Sequence, residues 1–225
     1  MEGEHLALGQ HWTVRTRIGA GGFGQVFVVT GDEGEAVAKF VPKAPGADRE
    51  LLFVDLTGVR NIIPIVDTGE HGDYWVLVMP RADTSLRGYL TGNGGRLDLA
   101  TAIGVLTDIA DALVDLEGRV VHRDLKPENV LLYKGHWCLA DFGISRYAEA
   151  TTAPDTRKFA WSAPYAAPER WRNERATTAT DVYALGIMAY ELVKGERPSR
   201  PHHSTTTATS TCTRIRRLSM ASRLD

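Results

Sequence analysis

The sequence predicts an α+β fold in two segments, a β-rich N-terminal one and a mostly helical one after it. Three observations predict it. Runs of β-branched and aromatic residues, broken by glycine-rich turns, fill residues 10–79. Beyond residue 84, two long stretches carry apolar residues at steps of three and four. Between those stretches, residues 121–143 read VHRDLKPENVLLYKGHWCLADFG, a short hairpin pattern with polar residues at both open ends.

The N-terminal segment divides at its turns. Thr13–Ile18, Gln25–Thr30 and Glu35–Val41 are the first three strands, separated by Gly19–Gly24 and Gly31–Gly34. Asp48–Leu56 can form about two helical turns, with Asp48 near the N-cap. Ile62–Asp67 and Tyr74–Met79 flank a turn at 69–73 and complete a five-stranded antiparallel sheet. Thr84–Leu90 reads as a short helix. Asp98–Glu117 reads as a long one, with Asp98 as N-cap and Gly118 as stop. Its core stripe is read as Leu99, Ile103, Leu106, Ala110, Leu113 and Leu116. A last helix covers Thr180–Lys194 and ends at Gly195, with Leu185, Met188, Ala189 and Leu192 on its apolar face.

Composition bounds the function. Of 225 residues, 43% are hydrophobic, enough for a sizeable core, and a net charge of −2 argues against a nucleic-acid partner. Cys138 and Cys212 show neither metal spacing nor a disulfide pattern, which fits a reducing cytoplasm. No stretch approaches the ~20 apolar residues that span a bilayer, and MEGEHLALGQHW lacks the regions of a signal peptide. A soluble, cytoplasmic protein is expected.

The chemistry lies in the hairpin. Val130-Leu131-Leu132 and Trp137–Ala140 are apolar and flank the turn 133–136, so the two open ends lie side by side and Asp124, Lys126, Asn129 and Asp141 converge. Two carboxylates, an amide and an ammonium suit phosphoryl transfer. Mg²⁺ takes hard oxygen ligands and shares them with phosphates; Asp141 and Asn129 supply such oxygens. Asp124 can accept the proton of an attacking hydroxyl, and Lys126 can offset charge on the moving group. Upstream, Gly19, Gly21 and Gly24 form G-x-G-x-x-G, a spacing shared with dinucleotide-binding turns. Here a β-rich segment follows rather than a helix, so the glycines sit at a hairpin tip, where backbone N–H groups can approach phosphate oxygens.

HRDLKPEN followed by DFG resembles the catalytic core of the eukaryotic-type (Hanks-type) serine/threonine protein kinases, of the bacterial kind and with a truncated C-terminal lobe. The resemblance implies a two-lobed protein-kinase-like fold: an N-lobe over 10–81, with the five-stranded sheet and one helix, and an incomplete, mostly helical C-lobe over 82–198. It implies Asp124 as catalytic base and Lys126 as charge stabiliser, Asn129 and Asp141 as Mg²⁺ ligands, and an ATP site of Gly19, Gly21, Gly24, Val26, Lys39, Glu50 and Ala82. Lys39 stands in AVAK, similar to the family's V-A-I-K strand, and Glu50 is its expected partner, although only eleven residues separate the two. Met79 resembles the residue at the back of the adenine pocket, just before the hinge. Asp181 resembles the buried acid that braces the catalytic loop. Residues 144–169 look like an activation segment closing at Ala167-Pro168-Glu169. In it Thr156 is the candidate for an activating phosphate, held by Arg123, with Thr151 and Thr152 as further candidates. Trp161 and Ser162 depart from the family's usual Gly-Thr. D-L-K-P-E-N goes with serine/threonine specificity.

The resemblance implies protein substrates with Ser/Thr acceptors and ATP with Mg²⁺ as cofactors. The alternative is a pseudokinase, an ATP-binding or docking module without phosphotransfer. After Pro198 the resemblance is expected to end. Residues 199–225 read as a disordered Thr/Ser- and Arg-rich tail, an abrupt change of the kind a shifted reading frame produces. The 181–194 helix is then expected to expose apolar surface, which leaves self-association through the C-lobe open.

Overall fold

The structure is a computed structural model and describes residues 1–21, 24–43, 56–142, 163–172 and 174–198. Residues 48–55 of the expected helix, Glu50 among them, the threonines 151, 152 and 156, Trp161, Ser162 and the tail 199–225 lie outside the described residues.

Six strands form the N-terminal sheet: β1 (His5–Ala7), β2 (His11–Gly21), β3 (Gly24–Gly31), β4 (Gly34–Pro42), β5 (Asp67–His71) and β6 (Tyr74–Pro80). Their order is β1-β2-β3-β4-β6-β5, and every neighbouring pair is antiparallel. The expected five strands are joined by β1, a three-residue edge strand too short to carry a readable pattern. The turn after it is held by a residue far away in sequence. The Asp67 carboxylate accepts the N–H groups of Gly9 (3.0 Å) and Gln10 (2.8 Å) and the indole N–H of Trp12 (2.8 Å).

The strand expected at 62–67 is displaced. Pro64 has no N–H for a ladder, Ile62 forms a lone parallel bridge to Leu139, and pairing with β6 begins at Asp67. The strand then runs through the expected turn to His71, opposite Tyr74.

The two faces of the sheet have different tasks. Leu6, Trp12, Val14, Phe27, Phe40 and Val78 are buried together on one face. On the other, the register sets Gly19 beside Val26, Val26 beside Lys39 and Lys39 beside Leu77, a row that crosses four strands.

The second segment packs around two long helices. β7 (Thr84–Ser85) leads into α1 (Leu86–Gly92), which starts at a Ser85 cap whose hydroxyl accepts from Gly88 N at 3.1 Å. The hairpin β8 (Val130–Tyr133) and β9 (His136–Leu139) gains β7 as a third strand. Its turn, Lys134-Gly135, has positive φ at both positions, as a two-residue type I′ connection requires.

Asp98 caps α2 (Leu99–Leu116) as expected, accepting from Thr101 N at 3.0 Å. The buried stripe of α2 keeps Leu113 and Leu116 of the expected one and turns away from it at the N-terminal end. Ala102, Val105, Ile109, Ala112, Leu113 and Leu116 are buried, whereas Leu99 and Ile103 are 65% and 54% exposed. This helix carries apolar residues on more than one side, so periodicity alone offers two adjacent faces.

After α3 (Pro168–Trp171), α4 (Thr178–Lys194) ends at Gly195, which adopts φ 81° as the left-handed stop. Its inward face is Ala184, Met188 and Leu192 together with Thr180, Asp181 and Glu191. Leu185 and Ala189, expected inside, are only half-buried. Val182, Tyr183, Tyr190 and Val193 are exposed, in keeping with the apolar surface expected on this helix. Among the described residues no helix is long and apolar enough to cross a membrane.

Candidate active site

The site is assembled from three chain segments. The first is the row on the inner face of the sheet. Lys39, buried on β4, donates from Nζ to Asp141 Oδ2 at 2.7 Å across 102 residues of sequence. This ion pair ties the sheet to the hairpin. Gly19 and Gly21 lie within β2, paired with Val26 and Gly24, so the strands run on to the rim of the loop. Gly24 has φ 133°, and a β-carbon there would collide with the Phe40 carbonyl oxygen. Only glycine lets β3 and β4 close up at this point.

The second segment is residues 121–130. His122, Asp124 and Asn129 are all buried. Lys126 Nζ donates to Asp124 Oδ2 at 2.7 Å, and Asn129 Nδ2 donates to Asp124 O at 2.8 Å and to Oδ2 at 3.2 Å. A 3₁₀ turn over Pro127–Asn129 brings Lys126 and Asn129 back onto Asp124. The backbone is bent for this purpose. Arg123 has φ 74°, a region that non-glycine residues rarely occupy. The carboxylate of Asp181 on α4 holds the bend, accepting from His122 N at 2.7 Å and Arg123 N at 2.9 Å. Burial pushes the Asp181 carboxyl up from its ordinary range, against the pull of the nearby His122 and Arg123 charges and the two N–H donors.

The third segment is the end of the hairpin. Val130 pairs with Leu139 and Ala140 N donates to Asn129 O at 2.9 Å, so Asp141 stands one residue beyond Asn129 across the strand ends. Asp141 also has positive φ, 69°. Phe142 packs on the His122 ring with centroids 4.8 Å apart, and His122 Nε2 lies 2.8 Å from Ala140 O. Cys138, just before, is no nucleophile at neutral pH. Burial and the Asp108 charge push its thiol up to about 11.

Lys126 and Asn129 thus meet on Asp124, Lys39 pairs with Asp141, and the backbone bond from Ala140 N to Asn129 O sets these two groups at neighbouring strand ends. Asp124, Asn129 and Asp141 offer oxygen donors, the kind that suits Mg²⁺. Ala82 is half-buried in the link between β6 and β7, and Met79 packs against the cluster of Ile63, Cys138 and Ala140. Glu50 lies outside the described residues.

Two further groups were not visible in the sequence. The Arg87 guanidinium on α1 donates to Glu128 in the 3₁₀ turn (2.8 Å), to Glu191 on α4 (2.9 Å) and to the Tyr165 hydroxyl (2.5 Å), and that hydroxyl in turn donates to Glu191. No local signal connects residues up to 104 positions apart. Glu169 accepts from the Thr180 hydroxyl at 2.6 Å.

A family model described as "Protein kinase domain" matches residues 12–224. The chain belongs to the protein kinase domain family. The match runs past Pro198, where the sequence reading placed its end. Among curated relatives, the serine/threonine-protein kinase PkaA of Streptomyces coelicolor is 38% identical over 207 residues, covering 85% of this chain and 37% of that protein. The serine/threonine-protein kinase PrkC of Bacillus subtilis is 36% identical over 141 residues, covering 61% of this chain and 22% of that protein. An L-type lectin-domain containing receptor kinase, V.7, of Arabidopsis thaliana is 31% identical over 198 residues, covering 80% of this chain and 30% of that protein. This kinase-family chain thus spans well under half the length of these relatives.

Proposed function

We propose that the chain transfers the γ-phosphoryl group of ATP to serine or threonine hydroxyls of proteins. The observation that supports this reading is that Lys126 and Asn129 sit on Asp124 one backbone bond away from the strand end that carries the Lys39–Asp141 ion pair, with the residues drawn from three segments of the chain. In this reading the lobes divide at residues 81 and 82, and the nucleotide lies between them.

Asp141 and Asn129 would hold Mg²⁺, which would supply charge neutralisation at the nucleotide phosphates. Asp124 orients the acceptor hydroxyl and takes its proton. Lys126, already on Asp124, lends positive charge where negative charge builds on the transferring oxygens. Lys39 is the proposed ligand of the α- and β-phosphates, and its ammonium has further N–H donors beside the one given to Asp141. Gly19, Gly21 and Gly24 bring backbone N–H groups over the phosphates, Val26 packs on the base beside Lys39, and the backbone near Ala82 holds the adenine edge. Glu50 is the proposed partner of Lys39 when nucleotide is bound. The serine/threonine preference rests on the relatives named as serine/threonine kinases and on the D-L-K-P-E-N loop, and the cytoplasmic setting on the cysteine usage.

The test is incorporation of labelled phosphate from Mg-ATP into the chain and into a generic basic protein, beside Asp124→Asn. A loss of roughly 10²-fold or more in the variant, with its melting temperature retained, is the expected result. Label that persists in the variant would remove Asp124 from its role. ATP that raises the melting temperature without labelling anything would favour the nucleotide-binding module instead.

A further inference from the structure

Much of the stripe that the sequence offers as the core of α2 lies on the outside. Leu99, Ile103, Leu106, Ala110 and Val114 follow one another at steps of three and four, so they share one side of the helix. Leu99, Ile103 and Val114 are 65%, 54% and 65% exposed, and Leu106 and Ala110 are half-buried. A lone exposed apolar residue is ordinary, but these run in register along most of an 18-residue helix and form one apolar strip.

The charge beside the strip is of one sign. From its Asp98 cap to Glu117, this helix carries Asp108, Asp111 and Asp115 and neither lysine nor arginine. Arg60 pairs with both Asp111 and Asp115, so one cation there meets two carboxylates. Asp98 and Glu117 are exposed at the two ends of the strip. An occupant of this face therefore needs apolar side chains for the strip and positive charge for its borders. A second copy of the chain meets the first need and fails the second, because a two-fold interface sets the same carboxylates against each other.

One segment of the chain meets both needs. Residues 214–224 read RIRRLSMASRL, in which Arg214, Arg216, Arg217 and Arg223 alternate with Ile215, Leu218, Met220 and Leu224 and no acid intervenes. The chain also leaves the fold at a suitable place. Leu97, just before the Asp98 cap, donates its N–H to Leu192 O at 2.7 Å, and Gly195 lies against Gly95 and Arg96. The end of α4 is thus beside the start of α2, and the described residues end soon after it, at Pro198. The α2 helix is about 27 Å long, and residues 199–213 reach about 50 Å when extended. The basic segment can therefore be laid along the whole strip.

We propose that residues 214–224 dock on the outer face of α2, with their apolar side chains on the strip from Leu99 to Val114 and their arginines against the carboxylates that border it. This contact goes beyond phosphotransfer and does not depend on it.

The test is tryptic cleavage after Arg216 and Arg217 in the full chain at low micromolar concentration, with a synthetic peptide of residues 210–225 as the measure of unprotected cleavage. Docking makes cleavage in the chain about tenfold slower than in the peptide, or slower still, because only the undocked fraction is cut. The protection falls severalfold in about 0.5 M sodium chloride, each rate being taken against the peptide at the same salt. Ile103→Gln/Val114→Gln abolishes the protection and keeps a cooperative melting transition. Should that variant not fold, Ile215→Ser/Leu218→Ser loosens the segment from its own side with α2 intact, measured against a peptide carrying the same changes. Cleavage of the full chain at the rate of the peptide, or protection undiminished in both variants, overturns the proposal. Protection that is lost on dilution, with a dimer seen in sedimentation, gives the face to a second copy and overturns it as well.

Discussion

The glycine-loop end of the sheet and the stretch 121–142 both force the backbone into conformations that most residues avoid, and they resolve the conflict in opposite ways. At the loop, positive φ falls on Gly24, where the Phe40 carbonyl leaves no room for a side chain. In the hairpin stretch it falls on Arg123 and Asp141, which keep their side chains. A glycine relieves strain where the backbone itself is the working part. Strain is retained where a side chain must be aimed, and a distant group then has to hold it. Asp181 holds Arg123, and Lys39 holds Asp141.

Removing the holder should do more damage than removing the glycine. Asp181→Ala strips two buried N–H groups of their acceptor, and a loss of about 2–5 kcal/mol in urea unfolding is expected, together with loss of phosphotransfer. A cost below about 1 kcal/mol would show that the bend is held elsewhere. Gly24→Ala combines a collision with a strained φ and should cost about 1–3 kcal/mol while raising the KM for ATP more than it lowers kcat. An unchanged KM would mean that this glycine serves only the sheet.

Asp67 sharpens the comparison because it holds a turn with no strained side chain. Burial raises its carboxyl, but the donors from Trp12, Gln10, Thr68 and Gly9 outweigh that and hold it below the ordinary carboxylate range. A depressed value in the fold means stabilisation that is present above about pH 4 and lost as pH falls through the folded value. Asp67→Asn should lower the melting temperature at pH 7 and flatten the acid limb of the stability curve; an acid limb unchanged by the substitution would place that titration elsewhere. The smallest effect is expected at Lys134, where φ is 51° on an exposed hairpin turn. Lys134→Gly relieves strain with no chemistry at stake, and a gain of up to about 1 kcal/mol follows. A loss would show that the contact of its ammonium with the Tyr133 ring, 5.2 Å away, outweighs the strain.

What was legible in the sequence was local. The first three strands, the Asp98 cap, the Gly195 stop and the hairpin between Asn129 and Asp141 all depend on spacings within about twenty residues. The misreadings are of another kind. β1 has no pattern of its own and is kept by Asp67, about sixty residues away. The strand placed at 62–67 began later because Ile62 pairs with Leu139 instead.

Sequence by itself determined which polar groups stand at the open ends of the hairpin, since motif spacing and hairpin pairing act over short distances and cost little loop entropy. Tertiary structure alone decided which face of α2 is buried, that Lys39 rests on Asp141, and that Arg87 joins Glu128, Tyr165 and Glu191. The physical reason is the same in each case. A face with apolar residues on two sides, or a charge with several distant partners, has alternatives of similar local energy, and only the packing of the whole chain chooses among them.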